Sequence, residues 1–303
     1  MPHGPDTRPR ADIEHEIFLA GLGEGLGDAR DLPLDAHVHT NLSPDADVPI
    51  DVHAGLAVER GIRELAITDH VDFDPRAPAY AFASFADRER QVRDAAERWA
   101  DRGVDIRFGV EISYESRCED EIRDWLRRHR HDFVIGSVHI SPDSPYKADA
   151  VARWVDGKSL PEIVAPYFAE IEAAARSGMF DTIGHLDFVK RYLVPWVQPS
   201  ELAAAPELYE PMLAALVDTG TALEVNVSGL RQVAREPYPS PAIVARYREL
   251  GGRDVTIGSD AHRKEWFAYG LDVAYRDAAT AGFADLALRR GGERVRVPLV
   301  RDI

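Results

Sequence analysis

The sequence holds one cysteine, Cys118, in 303 residues. That excludes an internal disulfide framework and a thiolate-built zinc site, and it fits a reducing cytoplasm. No apolar run approaches the roughly 20 residues needed to cross a bilayer. The opening stretch MPHGPDTRPRADIEHE lacks the apolar segment of a secretory signal. Positive charge is scarce: 36 Lys and Arg face 52 Asp and Glu, a net charge of -16. Nucleic-acid backbones are met by basic stripes, so this balance argues against a nucleic-acid partner. Carboxylates that ligate metal are partly neutralised on folding, so the count overstates the charge near any metal site. No linker rich in Pro, Gly or Ser divides the chain after residue 32.

What is present is ordinary in bulk and specific in pattern. Apolar residues make up 45% and charged residues 29%, both usual for a globular protein. Residues 1–31 read as a polar leader with a short helix around Ile13–Leu22, broken by the glycines of GLGEGLGD. That glycine string has no strand before it, so it reads as a linker and not as a phosphate loop. From residue 32 to 303 the chain reads as one domain. Short β-branched runs at Leu32–Ala36, Glu64–Thr68, Asp105–Ile112, Phe133–Ser137, Thr182–Gly184, Ala222–Asn226 and Val255–Gly258 predict strands. Amphipathic stretches near 50–61, 118–131, 160–177, 200–219, 240–251 and 266–281, with SFADRERQVRDAAERWADRG, predict the intervening helices. Parallel strands need helical crossovers, so seven such units predict an α/β fold with a parallel sheet closed into a barrel.

The polar residues at the C-terminal strand ends carry the chemistry. Strand one ends in Asp35-Ala36-His37-Val38-His39, with Asp45 beyond it. The next ends give Thr68-Asp69-His70, Gly109-Val110-Glu111 and Gly136-Ser137-Val138-His139. Gly184-His185-Leu186-Asp187, then Glu224 and Asn226, then Gly258-Ser259-Asp260-Ala261-His262 complete the series. Six of the eleven histidines therefore follow strands, at the rim where barrel enzymes build their active sites. His37 and His39, two apart on an extended segment, point to one side and can share a metal. Imidazole suits Zn, Fe and Mn, while carboxylates supply the charge that neighbouring divalent ions require.

Other histidines act as controls. His129-Arg130-His131 repeats the spacing but lies at the basic end of a helix, where histidine complements the dipole. His53 sits in the first turns of a helix, and His3 and His15 belong to the leader. All are read as non-ligands. Cys118 is read as a helix residue without chemistry.

The series D-x-H-x-H, T-D-H, G-x-E, G-S-x-H, G-H-x-D and G-S-D-A-H resembles the polymerase and histidinol phosphatase (PHP) family, from Asp35 to about residue 270. The resemblance implies a distorted (β/α)7 barrel with its metal site at the C-terminal strand ends. It implies two to three divalent ions, Zn, Fe or Mn. His37, His39, Glu111 and Asp260 would hold the first, with Glu111 bridging to a second completed by His139 and His185. Asp45, His70 and His262 would hold a third. Asp at position 45 is similar to the histidinol phosphatase branch. So are Glu224-Val225-Asn226-Val227-Ser228-Gly229-Leu230-Arg231 with Pro237-Tyr238-Pro239, and His185-Leu186-Asp187 with Lys190-Arg191-Tyr192. The segment Ile140-Ser141-Pro142-Asp143-Ser144-Pro145-Tyr146-Lys147 departs from that branch, and the leader is longer than the family core requires.

The chemistry implied is hydrolysis of a small phosphate monoester, L-histidinol phosphate first, without a covalent intermediate. Metal coordination lowers the pKa of bound water to roughly 7 and so supplies the hydroxide that attacks phosphorus. Arg231 is the first candidate for a phosphate clamp, since a guanidinium matches phosphate bidentately; Arg191 and then Lys190 follow. Asp69 either orients His70 or handles protons. Asp72, Asp74 and Glu115 are candidates for recognising an ammonium or imidazole group. The rival readings are a nucleotide-clearing phosphodiesterase, a PHP nuclease and an inert scaffold. No polymerase body accompanies the motifs, and a scaffold would have lost ligands that this chain retains.

Overall fold

The computed structural model describes residues 8–290 and 292–299; the first seven positions, His3 among them, lie outside the described residues. Seven strands form a parallel sheet: β1 Leu34–Val38, β2 Glu64–Ile67, β4 Asp105–Ser113, β5 Phe133–Ser137, β6 Thr182–Ile183, β7 Ala222–Asn226 and β8 Val255–Gly258, in that spatial order. A two-residue strand, β3 (His70–Val71), pairs with β4 with His70 opposite Glu111. The sheet closes where the chain after β8 returns to β1: the Asp260 amide donates to the His37 carbonyl at 2.8 Å, and the His39 amide to the Ala261 carbonyl at 3.1 Å. The architecture is the distorted (β/α)7 barrel. Every residue of β1, β2, β7 and β8 is buried, as a parallel sheet covered on both faces requires.

The crossovers are helical: α2 (Ile50–Arg60), α3 (Phe85–Ala100), α4 (Glu119–Arg128), α5 (Val151–Val155), α6 (Leu160–Ser177), α7 (Lys190–Leu193), α8 (Pro199–Ala203), α9 (Pro206–Thr219), α10 (Pro241–Glu249) and α11 (Leu271–Thr280). Local chemistry sets several boundaries. Ser159 and Glu162 form a capping box at the start of α6. The helix expected over 200–219 is two, because Pro206 brings no backbone N–H and suits a first turn, where α9 begins.

Before the barrel stands α1 (Arg10–Gly23), which takes in the helix expected over Ile13–Leu22, starts three residues earlier and ends within the glycine string. Its Ile17 and Phe18 are buried, each such burial being worth roughly 1.5–3 kcal/mol. Gly21 is required by proximity, because a Cβ there would meet Tyr269 Oη at 1.8 Å. After α11 comes an element that the sequence reading did not place, a hairpin of β9 (Asp285–Arg290) and β10 (Glu293–Pro298). Its arginines explain its position: Arg290 pairs with Glu64, Arg289 with Asp181, and Arg294 with Asp254 at 2.6 Å. Those carboxylates begin or precede strands β2, β6 and β8, so the hairpin covers the end of the barrel opposite the histidine-rich rim. No helix among the described residues is long and apolar enough to cross a membrane.

Candidate metal centre

The two histidines of the D-x-H-x-H segment do share a side: His37 Nε2 and His39 Nε2 lie 3.0 Å apart and fully buried. Between them and the other donors stands Glu111 of β4. Its Oε2 is 3.3 Å from His37 Nε2, 3.2 Å from His39 Nε2 and 2.9 Å from His70 Nδ1. Its Oε1 is 3.3 Å from His139 Nε2 and 2.9 Å from His185 Nε2. Asp260 Oδ1 lies 3.5 Å from His39 Nε2 and 3.3 Å from His262 Nδ1. Asp45, the exposed member, places Oδ2 3.4 Å from both His70 Nε2 and His262 Nε2. All nine residues that the resemblance singled out meet in one cluster, and His70 reaches both Glu111 and Asp45.

The opposite ring nitrogens of His37, His39 and His139 are anchored, which aims their Nε2 atoms inward, while His185 Nδ1 is buried without a partner. His37 Nδ1 is 2.6 Å from Glu224 Oε1, His39 Nδ1 3.3 Å from Ser43 Oγ, and His139 Nδ1 2.9 Å from Ser113 Oγ. His262 Nδ1 donates to the Asp260 carbonyl at 3.0 Å. Such anchoring fixes tautomer and orientation in metal-binding histidines. Converging lone pairs without hydrogens between them repel, and two buried oxygens, Glu111 Oε2 and Asp260 Oδ1, make no hydrogen bond of acceptable geometry. A donor set of imidazole and carboxylate that leaves buried oxygens unpaired fits divalent cations. Three subsets have ligand atoms close enough for one ion each: His39, His70 and His262; His37, His39 and Asp260; His70, Glu111 and His139.

Electrostatics follow from this crowding. Burial works against a charged His37, but Glu224, Glu111 and Asp260 hold its pKa well above the usual imidazole range. Burial also opposes charge on His262, yet Asp260 and Asp45 lift it to about 9. His39 goes the other way, driven well down by burial and by His262 and His70. Glu111 and Asp260 stay ionised despite burial, since the surrounding imidazoles pull both well below the usual carboxylate range.

Around the cluster lies a supporting layer that the motifs alone did not define. Glu224 also accepts from the His185 amide at 2.8 Å, and Asn226 Nδ2 donates to it at 3.1 Å. Asp69 accepts from the Thr40 amide at 2.7 Å, Thr40 Oγ1 at 2.8 Å and Ser43 Oγ at 2.8 Å; Ser43 Oγ accepts from the His70 amide at 2.9 Å. His53, read as a non-ligand, is fully buried and donates through Nε2 to the His39 carbonyl at 3.0 Å. Two donor residues are in the left-handed region, Asp260 at φ 54° and His185 at φ 23°. Non-glycine residues persist there only when their surroundings insist. Gly258 lets β8 come close to β1: a Cβ there would meet His37 Cβ at 2.2 Å.

The candidate clamp residues are spread unevenly. Arg231 is buried, donates to the Ser259 and Asp260 carbonyls at 2.9 and 2.6 Å, and lines the pocket above the cluster. Arg191 lines the same pocket and pairs with Glu14 of α1. Lys190 is buried against Asp187, Glu236 and the Pro237 carbonyl at 2.8, 2.7 and 3.2 Å, outside the pocket lining. The pocket measures about 1000 Å3, and Asp72, Glu115 and residues 140–142 with Lys147 form part of its wall. Asp74 is tied instead to Arg76 and Arg117 at 2.7 and 2.6 Å. His129 and His131 sit far along the chain fold, in an aromatic box with Phe85 and Trp125.

A parallel barrel whose strand ends gather imidazoles around a shared carboxylate defines a metal-dependent hydrolase class. Within that class the chain belongs to the PHP domain family, whose model matches residues 35–228. Its curated relatives include a probable histidinol-phosphatase of Deinococcus radiodurans, 30% identical over 84% of this chain and 96% of that protein. A histidinol-phosphatase of Lactococcus lactis is 27% identical over 85% of this chain and 94% of its own length. Among solved structures, the Lactococcus lactis histidinol phosphate phosphatase, complexed with zinc, L-histidinol and phosphate, superposes with a TM-score of 0.75. That match has 24% identity and covers 87% of this chain and 98% of the other.

Proposed function

We propose that this chain is a metal-dependent phosphoric monoester hydrolase that cleaves L-histidinol phosphate to L-histidinol and phosphate. The observation that carries the reading is Glu111, whose two oxygens are each shared among imidazoles on both sides of the cluster. The relatives named histidinol-phosphatase support the substrate. So does the acidic pocket wall at Asp72 and Glu115, which suits a cationic leaving group.

In this reading His37, His39, Asp45, His70, Glu111, His139, His185, Asp260 and His262 hold two to three divalent ions. Zinc is the first choice, as in the Lactococcus structure, with iron or manganese as substitutes. Divalent ions there would supply a nucleophile from water near neutral pH and offset charge on the phosphoryl oxygens. The chain's own residues do the rest. Arg231 and Arg191, both on the pocket wall, would take the phosphate, guanidinium to oxygen. Arg231 also pins the backbone that carries Asp260. Asp69 orders Thr40 and Ser43 and through them His39 and His70, so its part is positioning. One cysteine and an acidic surface support a cytoplasmic enzyme of small esters with no nucleic-acid partner.

The test is a phosphate-release screen with metal-loaded enzyme on L-histidinol phosphate, nucleotides, sugar phosphates and a generic diester. The expected result is the highest kcat/KM on L-histidinol phosphate. Failure to release phosphate from any monoester would overturn the reading.

A further inference from the structure

The helix α1 precedes the barrel, yet its residues Ala11, Glu14, His15 and Phe18 line the pocket above the metal centre. Their spacing of three, four and seven places them on one stripe of the helix. Three contacts hold the helix against the rim. The Phe18 and Tyr269 rings lie 5.1 Å apart, the Arg10 guanidinium sits 4.8 Å over the Tyr192 ring, and Glu14 pairs with Arg191.

The last pair has a definite shape. Arg191 Nε donates to Glu14 Oε1 at 2.8 Å and Nη2 to Oε2 at 2.5 Å. A guanidinium has five N–H donors in a fixed plane. Glu14 occupies the Nε side of that fork, which leaves the Nη1 edge and the outer Nη2 hydrogen. Arg191 itself is the second residue of α7, six residues past His185, with its guanidinium 5.9 Å over the Phe188 ring. Phe188 in turn lies against His185, ring centroids 4.8 Å apart. The cation is therefore held on the Glu111–His185 side of the cluster and cannot swing without breaking a bidentate pair.

We propose that α1 is a wall of the substrate site and that Glu14 is a positioning residue, locking Arg191 side-on so that its remaining edge meets the phosphoryl group. This rests on the reading of Arg191 as a phosphate clamp. It makes a segment outside the matched family region part of the specificity apparatus.

The experiment compares Glu14→Ala, Glu14→Gln, Arg191→Ala and the double variant Glu14→Ala/Arg191→Ala in the full, metal-loaded chain. It reads kcat and KM on L-histidinol phosphate and, separately, binding of inorganic phosphate by calorimetry; metal content and thermal melts check folding. Glu14→Ala should weaken phosphate binding and raise KM about tenfold, a size typical of directly coupled residues, with kcat changed less. Glu14→Gln, which keeps one acceptor, should fall between Ala and wild type. The double variant should be no worse than Arg191→Ala. If Arg191→Ala is itself without effect, the clamp reading fails and this inference with it. If Arg191→Ala is impaired while Glu14→Ala stays within about twofold, the clamp stands and the role of Glu14 is overturned. Tighter phosphate binding in Glu14→Ala, or additive losses in the double variant, would overturn it as well.

Discussion

The carboxylate of Glu224 lies behind His37, with Oε1 2.6 Å from Nδ1, while its other oxygen takes the His185 amide at 2.8 Å. One side chain on β7 thus orients two donors from β1 and from the end of β6. Outer partners of this kind typically govern metal affinity by 10–100-fold. Glu224→Gln keeps the shape and removes the charge. We expect metal affinity to drop by about that factor while the melting curve of the metal-free protein stays close to wild type. Chelator-competition titration measures it, and an unchanged affinity would refute the assignment.

Asp69 gives a second expectation. Its oxygens accept from three donors on the β1 exit, and Ser43 relays the contact to His39 and His70. Contacts of this kind order the loop that carries Asp45, and positioning is the role proposed for Asp69. Asp69→Asn should therefore lower metal retention and kcat together and leave the shape of the kcat–pH profile intact. Loss of one limb of that profile with full metal content would instead make Asp69 a proton carrier.

Much of this was readable in the sequence, for a physical reason. A buried parallel strand is a short β-branched run, and a ligand at its end follows at fixed spacing. His37, His39, Glu111, His139 and Asp260 therefore announce themselves locally. Glu224 stood in view at the end of its strand, but its role depends on His37, far away in the chain, and spacing cannot show that. Asp69 admits two roles in the sequence because its partners Thr40 and Ser43 stand 29 and 26 residues away in the chain. The hairpin at 285–298 carries little local signal: its apolar residues are few, and its arginines make sense only beside Glu64, Asp181 and Asp254. The glycine string at 21–27 reads as a linker because glycines suggest a break, and α1 does end there at Gly23, while Gly21 also serves the close approach to Tyr269.

Metal uptake should release protons. In the metal-free protein the surrounding carboxylates raise His37 and His70 well above the ordinary value against the effect of burial, and His262 to about 9. These rings carry protons at pH 7, and a ligand nitrogen must give its proton up. Affinity should consequently rise as pH increases toward about 9 and fall as it drops. Calorimetric titration of zinc into chelated protein, repeated in buffers of different ionisation enthalpy, should show net proton release at pH 7. Heats independent of the buffer would contradict it.

His131 offers a test away from the site. Its ring stacks among Phe108, Trp125 and Phe85 at 4.7, 5.2 and 5.3 Å, and Nδ1 is buried without a partner. Burial, with the neighbouring His129 and Arg88 charges, pushes its pKa down to about 3 against an ordinary 6.5. The unfolded chain therefore takes up this proton before the folded one does. The stability that His131 contributes is complete above pH 6.5 and is lost as pH falls from there toward 3. Phenylalanine fills the same aromatic box without a nitrogen to protonate. In His131→Phe the decline of Tm below pH 6.5 should be shallower, but not absent, because His53, lowered to about 4 by burial, titrates in the same direction. Metal content and kcat at pH 7 should match wild type, since no donor touches this box. A Tm–pH curve parallel to that of the wild type would show that His131 is already solvated in the folded chain.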